Sequence, residues 1–160
     1  MIKKILVLLL LVNVVFAHEH GIAKLDIFAD GTKISMDLDS PMNNFLSFEH
    51  KPQTKEEKKE YKEFFKRIKK EEIFVFNSDC KKERKHHEKH HKEHHKESEN
   101  SEHEDIELNL KYKCKNEVKT IEVNLFKMFP NLKQIDVQLS GKKQKSYKLN
   151  KDNNIITIYE

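Results

Sequence analysis

Apolar residues that alternate with polar ones constrain the fold of this chain more than any other feature. The alternation covers 23–29 and 34–38, and Asp30-Gly31 stands between the two runs. Alternation of period two around Asp-Gly is typical of a β-hairpin. The same pattern returns over 106–114, and shorter runs continue to the end of the chain. The second half therefore predicts four or five antiparallel strands that pack sheet on sheet.

One segment has the period of a helix instead. Thr54 and Glu57 have the spacing of a capping box, and the pattern continues to about Lys70. Its apolar stripe consists of Tyr61, Phe64, Phe65 and Ile68. A stripe with the spacing i, i+3, i+4, i+7 indicates packing against a core rather than a binding surface. The expected fold class is thus α+β and mainly β, with two antiparallel sheets and one helix.

The first 17 residues have the features of a secretory signal peptide. A short basic start with Lys3 and Lys4 precedes an apolar run, and Val15-Phe16-Ala17 at its end fits a small-residue cleavage site. The run has about 13 residues, whereas a bilayer span needs about 20. No cysteine follows Ala17, so a lipid anchor is not expected. We predict cleavage after Ala17, export to the periplasm and no membrane anchoring of the mature protein.

The charge balance of the chain argues against nucleic-acid binding. The chain has 31 basic and 27 acidic side chains, and removing Lys3 and Lys4 with the signal leaves a surplus of 29 − 27 = 2. A nucleic-acid binder would carry a one-sided basic surplus. The mature chain, 160 − 17 = 143 residues, is long enough for one domain with a real core. We therefore expect a single domain over 18–160.

The two cysteines are expected to form a disulfide. Cys80 and Cys114 are the only cysteines of the chain, and an oxidising compartment favours a bridge between them. A zinc site built from cysteine and histidine is the weaker alternative, because thiols rarely remain reduced outside the cytosol.

Between the cysteines, 81–105 has almost no apolar residues and seven of the ten histidines of the chain. These histidines are His86, His87, His90, His91, His94, His95 and His103. The segment cannot bury enough surface to offset its ordering entropy, so we predict a flexible, disordered insert. Histidines four residues apart would share a face if the segment became helical, and such pairs chelate zinc, copper or nickel. We expect several exposed, low-affinity metal sites here.

The other three histidines lie near the predicted strands. His18 and His20 begin the mature chain, and Glu49 and His50 close a loop after the hairpin. Zinc takes about four nitrogen, oxygen or sulfur ligands, and these residues would supply a compact set if the loop folds back. A second hypothesis follows from cleavage after Ala17. His20 would then be the third residue, which gives a square-planar nitrogen set for copper(II) or nickel(II).

Several motifs recur in an order that is characteristic of one family. In chain order they are His18-Glu19-His20-Gly21, Ser40-Pro41 with Asn44, Phe48-Glu49-His50-Lys51-Pro52, Leu125-Phe126-Lys127-Met128-Phe129-Pro130 and Ile135-Asp136-Val137-Gln138. With a helix and a His-rich insert between two cysteines, they resemble the ZrgA-like family of bacterial periplasmic zinc-binding proteins. The resemblance covers nearly the whole mature chain. One departure is Ser47, which stands where the family usually has glycine.

The resemblance implies a single domain whose antiparallel sheets flank a metal pocket, and a disordered His-rich loop. It also implies a role in zinc acquisition alongside an ABC-type importer. The family motifs carry over as candidate zinc ligands onto His18, His20, Glu49 and His50.

We therefore predict a protein that captures zinc and hands it to an import system. One alternative is storage or detoxification of copper or nickel, and another is a non-catalytic envelope interaction protein. The chain has no Gly-x-Ser-x-Gly elbow and no Gly-rich phosphate loop, so an enzyme is not expected.

Overall fold

The structure is a computed structural model that describes residues 20–83 and 104–159. Its nine strands are β1 Ile22–Asp30, β2 Lys33–Pro41, β3 Phe74–Phe76, β4 Cys80–Lys82, β5 Asp105–Cys114, β6 Thr120–Val123, β7 Gln134–Gly141, β8 Lys145–Leu149 and β9 Ile155–Thr157. Helix α1 spans Lys55–Lys70, Met42–Asn44 forms a short 3-10 helix, and Leu125–Met128 forms a single helical turn. The predicted α+β, mainly β class with two sheets is confirmed.

The hairpin predicted around Asp30-Gly31 is present as β1 and β2. The two strands pair antiparallel with Leu25 opposite Leu38 and Asp30 opposite Lys33, and Gly31 takes a positive φ of 60° in the turn. Every second residue of β1 is buried, and the others are exposed except Ile22, which is half-buried. The sequence alternation therefore corresponds to one face on the core and one face in solvent.

The larger sheet has six strands in the order β4-β5-β2-β1-β7-β8, and the smaller sheet has the order β3-β6-β9. The prediction of purely antiparallel sheets was wrong for one pair, since β1 and β7 run parallel with Leu25 opposite Val137. A parallel pair needs a long crossover connection. Here the strands and helices between β1 and β7 supply that connection, which periodicity along the chain cannot show.

Both sheets and helix α1 contribute to one hydrophobic core. Phe64 and Ile68 of the helix stripe are buried, whereas Tyr61 and Phe65 are partly buried against the core. The Phe64 ring lies 5.3 Å from the ring of Phe45 and 5.6 Å from that of Phe129, measured between centroids. The stripe therefore packs inward, as its spacing predicts.

The disulfide predicted between Cys80 and Cys114 is present. The two residues lie opposite each other where β4 pairs with β5. Strand β4 continues to Lys82 and β5 begins at Asp105, so the strands enter both ends of the segment predicted as an insert.

Parts of several predictions lie outside the described residues. They are the signal peptide 1–17, the ligand His18, and the histidines between His86 and His103. Among the residues that the structure describes, no helix combines the length and apolar character needed to cross a bilayer.

Candidate metal centre

The candidate ligands meet at one end of the six-stranded sheet. His20 comes just before β1, whereas Glu49 and His50 follow the 3-10 helix that begins where β2 ends. Because β1 and β2 are antiparallel, the start of one strand lies beside the end of the other. The predicted fold-back of the loop onto the start of β1 therefore follows from the hairpin, and the core between the sheets is left to apolar side chains.

Asn44 attaches the start of β1 to the 3-10 helix. Its Oδ1 accepts a hydrogen bond of 2.7 Å from the Gly21 backbone N–H, and its Nδ2 donates to the Ile22 carbonyl at 3.0 Å and to Ser40 Oγ at 2.9 Å. The side chain is only 2% exposed, so these bonds are shielded from water. Asn44 thus holds the neighbouring residues, His20 and Asn43, next to each other.

Gly21 allows the chain to enter β1 at this place. Its φ is +86°, and its carbonyl accepts hydrogen bonds from the backbone N–H groups of Lys133 at 2.7 Å and Gln134 at 2.9 Å. A Cβ atom at this position would lie 3.0 Å from Cγ of Lys133. A glycine is therefore required both by the backbone conformation and by the close approach.

The loop that carries Glu49 is fixed from two sides. Phe48 is buried, and the Glu49 carbonyl accepts a hydrogen bond of 2.6 Å from the Glu104 backbone N–H. Ser47 donates from its backbone N–H and its Oγ to the Glu60 carboxylate at 2.8 and 2.6 Å. The serine therefore ties the loop to helix α1.

The structure brings His20 and Glu49 together. Nδ1 of His20 lies 3.4 Å from Oε1 of Glu49, with 62% and 27% of the two side chains exposed. The Nδ2 group of Asn43 donates hydrogen bonds to both of these atoms. An amide nitrogen only donates, so this contact suits the His20 tautomer whose Nδ1 accepts a hydrogen bond.

The separation of the two ligand atoms suits zinc. Bonds of about 2.0–2.1 Å at tetrahedral angles place neighbouring zinc ligands about 3.4 Å apart. The distance from Nδ1 of His20 to Oε1 of Glu49 is the same, 3.4 Å. An imidazole nitrogen and a carboxylate oxygen are also ligand types that zinc accepts. The pair therefore has the chemistry and the spacing of two neighbouring zinc ligands.

His50 points to a different partner. Its Nε2 lies 3.9 Å from Oε1 of Glu57, and its Nδ1 lies 3.0 Å from the carbonyl of Lys51. Glu57 belongs to the capping box of helix α1 and accepts backbone N–H bonds from Gln53 at 2.7 Å and Thr54 at 3.0 Å. These two bonds, more than the nearby His50, hold the pKa of the Glu57 carboxyl below its usual value.

Of the four predicted ligands, the structure thus joins His20 and Glu49, places His50 beside Glu57, and leaves His18 outside the described residues. Within 20–83 and 104–159, no group of three or more histidine, cysteine, aspartate or glutamate side chains is arranged to hold a metal ion.

Sequence reasoning missed Asn43, which contacts both members of the pair. Asparagine is common in loops, and its carboxamide is not among the usual zinc ligands, so no pattern marked it. The one available signal was its position next to Asn44 in the Ser40-Pro41 motif.

The fold and the pair define a β-sheet domain with a candidate site for a divalent metal. The chain matches the family model described as ZrgA family zinc uptake protein over residues 17–158, and it therefore belongs to this family. The resemblance seen in the ordered motifs is confirmed by this match. A comparison with curated proteins gave no match.

Proposed function

We propose that this protein captures zinc in the periplasm, after cleavage of its signal peptide, and hands the ion to an ABC-type import system without catalysing a reaction. The observation that carries the proposal is the His20–Glu49 pair, whose ligand atoms lie 3.4 Å apart at one end of the six-stranded sheet. Membership in a family of zinc uptake proteins supports zinc as the cargo. The tight site consists of His20 and Glu49, completed by His18, His50 or water.

The His-rich segment acts in this proposal as an auxiliary collector. Its seven histidines are tethered through β4 and β5, and a tethered ligand raises the local ion concentration near a second site. Weak, rapidly exchanging sites on the segment would load the tighter site without competing for the ion at equilibrium.

The first experiment tests the site. We expect His20→Ala and Glu49→Gln to weaken zinc binding by about tenfold or more, measured on the 18–160 protein by competition with a chromophoric chelator. His103→Ala is the matched control and should leave the tight site unchanged. Equal affinity of wild type, His20→Ala and Glu49→Gln would contradict the assignment. Titration with copper(II) and nickel(II) tests the storage alternative, which would require tighter binding of those ions.

The second experiment tests the division of roles. Because β4 ends at Lys82 and β5 begins at Asp105, residues 84–103 can be replaced by a short Gly/Ser linker without cutting either strand. We expect fewer zinc ions per protein and one remaining tight site. A replacement of the seven histidines by glutamine at full length is the control for loop length. Loss of the tight site in both variants would contradict this proposal.

A further inference from the structure

Asn43 is the one described residue with a buried side-chain atom that lacks a hydrogen-bond partner. That atom is Oδ1, whereas Nδ2 of the same carboxamide contacts both His20 and Glu49. We propose that Asn43 is a third, weak ligand of the zinc site, and that its carboxamide turns over when the ion binds so that Oδ1 faces the metal. This inference rests on the proposed function of the His20–Glu49 pair.

The geometry without an ion explains why the nitrogen faces the pair. Nδ1 of His20 and Oε1 of Glu49 are both acceptors, and at 3.4 Å their lone pairs would repel each other without a donor between them. The two N–H groups of Asn43 satisfy both acceptors at once. Without an ion, the N–H donors of the carboxamide therefore occupy the space between the two acceptors and keep both ligand atoms directed at one point.

The opposite orientation suits the loaded site. A cation bound by the pair would occupy the space that Nδ2 now fills, and a carboxamide that draws back in its present orientation would point a donor at a positive charge. A half-turn about Cβ–Cγ exchanges Nδ2 for Oδ1, which is a metal ligand. The same turn gives the oxygen, which is buried without a hydrogen-bond partner in the present orientation, a partner in the ion and moves Nδ2 to the buried side.

The backbone already holds Asn43 in place for this exchange. Its neighbours in the 3-10 helix, Met42 and Asn44, are each 2% exposed, and its own carbonyl accepts a hydrogen bond of 3.3 Å from Asn131 Nδ2. The half-turn alone would put Oδ1 at the present place of Nδ2, nearer to both ligand atoms than the distance of about 3.4 Å that separates neighbouring zinc ligands. The side chain therefore also draws back from the pair, while the backbone stays in place. A neutral carboxamide oxygen binds zinc less strongly than a carboxylate or imidazole, which suits a protein that must release its cargo.

Two substitutions separate ligation from simple support. Asn43→Leu removes both the oxygen and the N–H donors, whereas Asn43→Asp keeps an oxygen and removes the donors. We expect zinc affinity to fall about tenfold in Asn43→Leu and to rise above wild type in Asn43→Asp, measured by chelator competition. Asn109 is exposed on β5, so Asn109→Leu and Asn109→Asp are matched controls that should bind like wild type.

The outcomes are distinguishable. Weaker zinc binding in both Asn43 variants would show that the N–H donors only position His20 and Glu49, and it would overturn ligation by Asn43. Unchanged or tighter zinc binding in Asn43→Leu would also overturn it. If His20→Ala and Glu49→Gln lose affinity while the Asn43 variants do not, this inference fails and the proposed function stands. If His20→Ala and Glu49→Gln bind as wild type, both fail.

Circular dichroism of each variant checks that the fold is retained. In NMR spectra, one equivalent of zinc should shift the side-chain amide signals of Asn43 and not those of Asn109.

Discussion

At the scale of single residues, the candidate site depends on small side chains and amides as much as on its ligands. Asn44 joins two stretches of chain that are more than twenty residues apart. Gly21 allows the backbone to enter β1 close to the side chain of Lys133. Neither residue has a carboxylate or imidazole group with which to bind zinc. Their role is to place His20 opposite Glu49.

Substitution of Gly21 tests this support. We expect Gly21→Ala to lower the free energy of unfolding by about 1 kcal/mol or more and to weaken zinc binding, because its φ is +86° and the added Cβ meets Lys133. Gly31→Ala is the matched control, with a φ of +60° and no atom within 4 Å of the added Cβ. It should cost stability in urea unfolding and leave zinc affinity unchanged. A loss of zinc affinity in Gly31→Ala alone would contradict the argument.

At the scale of elements, helix α1 begins with a complete capping box. Thr54 Oγ1 accepts the Glu57 backbone N–H at 3.1 Å, and the Glu57 carboxylate accepts the Thr54 backbone N–H at 3.0 Å. The same carboxylate faces His50, which joins the helix start to the loop of the candidate site. The cap therefore serves both the helix and the position of His50.

The cap predicts a pH dependence. The pKa of Glu57 is lowered in the folded state, chiefly by the backbone N–H groups of Gln53 and Thr54. The ionised carboxylate therefore stabilises the fold above its usual pKa of 4.5, and this contribution is lost as the pH falls through the lower folded value. We expect Glu57→Gln to lower stability at pH 7, with the difference from wild type shrinking under acidic conditions. Urea unfolding at several pH values measures it.

Glu56→Gln is the control for this prediction, since Glu56 lies in the same first turn and is not part of the capping box. A deficit in Glu57→Gln that stays constant from pH 7 to acid would show that the charge of Glu57 is not the cause.

At the scale of the whole molecule, the disulfide fastens the edge of the larger sheet. Among the residues that the structure describes, the three-residue strand β4 pairs with β5 alone, and the disulfide joins the first residue of β4 to the last of β5. The bond closes a loop that contains the entire His-rich segment. Both ends of the segment are therefore attached at this edge of the larger sheet.

Removal of both cysteines should destabilise the domain. A loop of about 35 residues predicts a loss of roughly 3–4 kcal/mol for Cys80→Ser with Cys114→Ser, because the unfolded chain gains conformational freedom. Urea unfolding of the variant, compared with wild type under reducing and non-reducing conditions, measures the loss. The reduced wild type should match the variant. Equal stability of the oxidised wild type and the variant would contradict the entropic argument.

Local patterns predicted the local structure well. The alternation around Asp30-Gly31 predicted the hairpin, and the spacing of Thr54 and Glu57 predicted the start of α1. The presence of two cysteines in the chain predicted the disulfide. Each of these features rests on nearby residues or on a unique pairing. The ordered motifs were also sufficient to identify the family, which the match over 17–158 confirms.

Long-range geometry decided the rest. The parallel pairing of β1 with β7 and the contact of Asn43 with His20 join residues that are far apart in the chain, and both depend on how the chain returns through the fold. His50 and Glu57 are close in the chain, and their contact depends on the path of the loop that leads into helix α1. Periodicity records which face of a strand or helix is apolar, and it carries no information about which distant strand lies alongside. The direction of a side chain at the end of a loop is likewise set by packing and by hydrogen bonds such as those of Asn44 and Glu104, which form only in the folded chain.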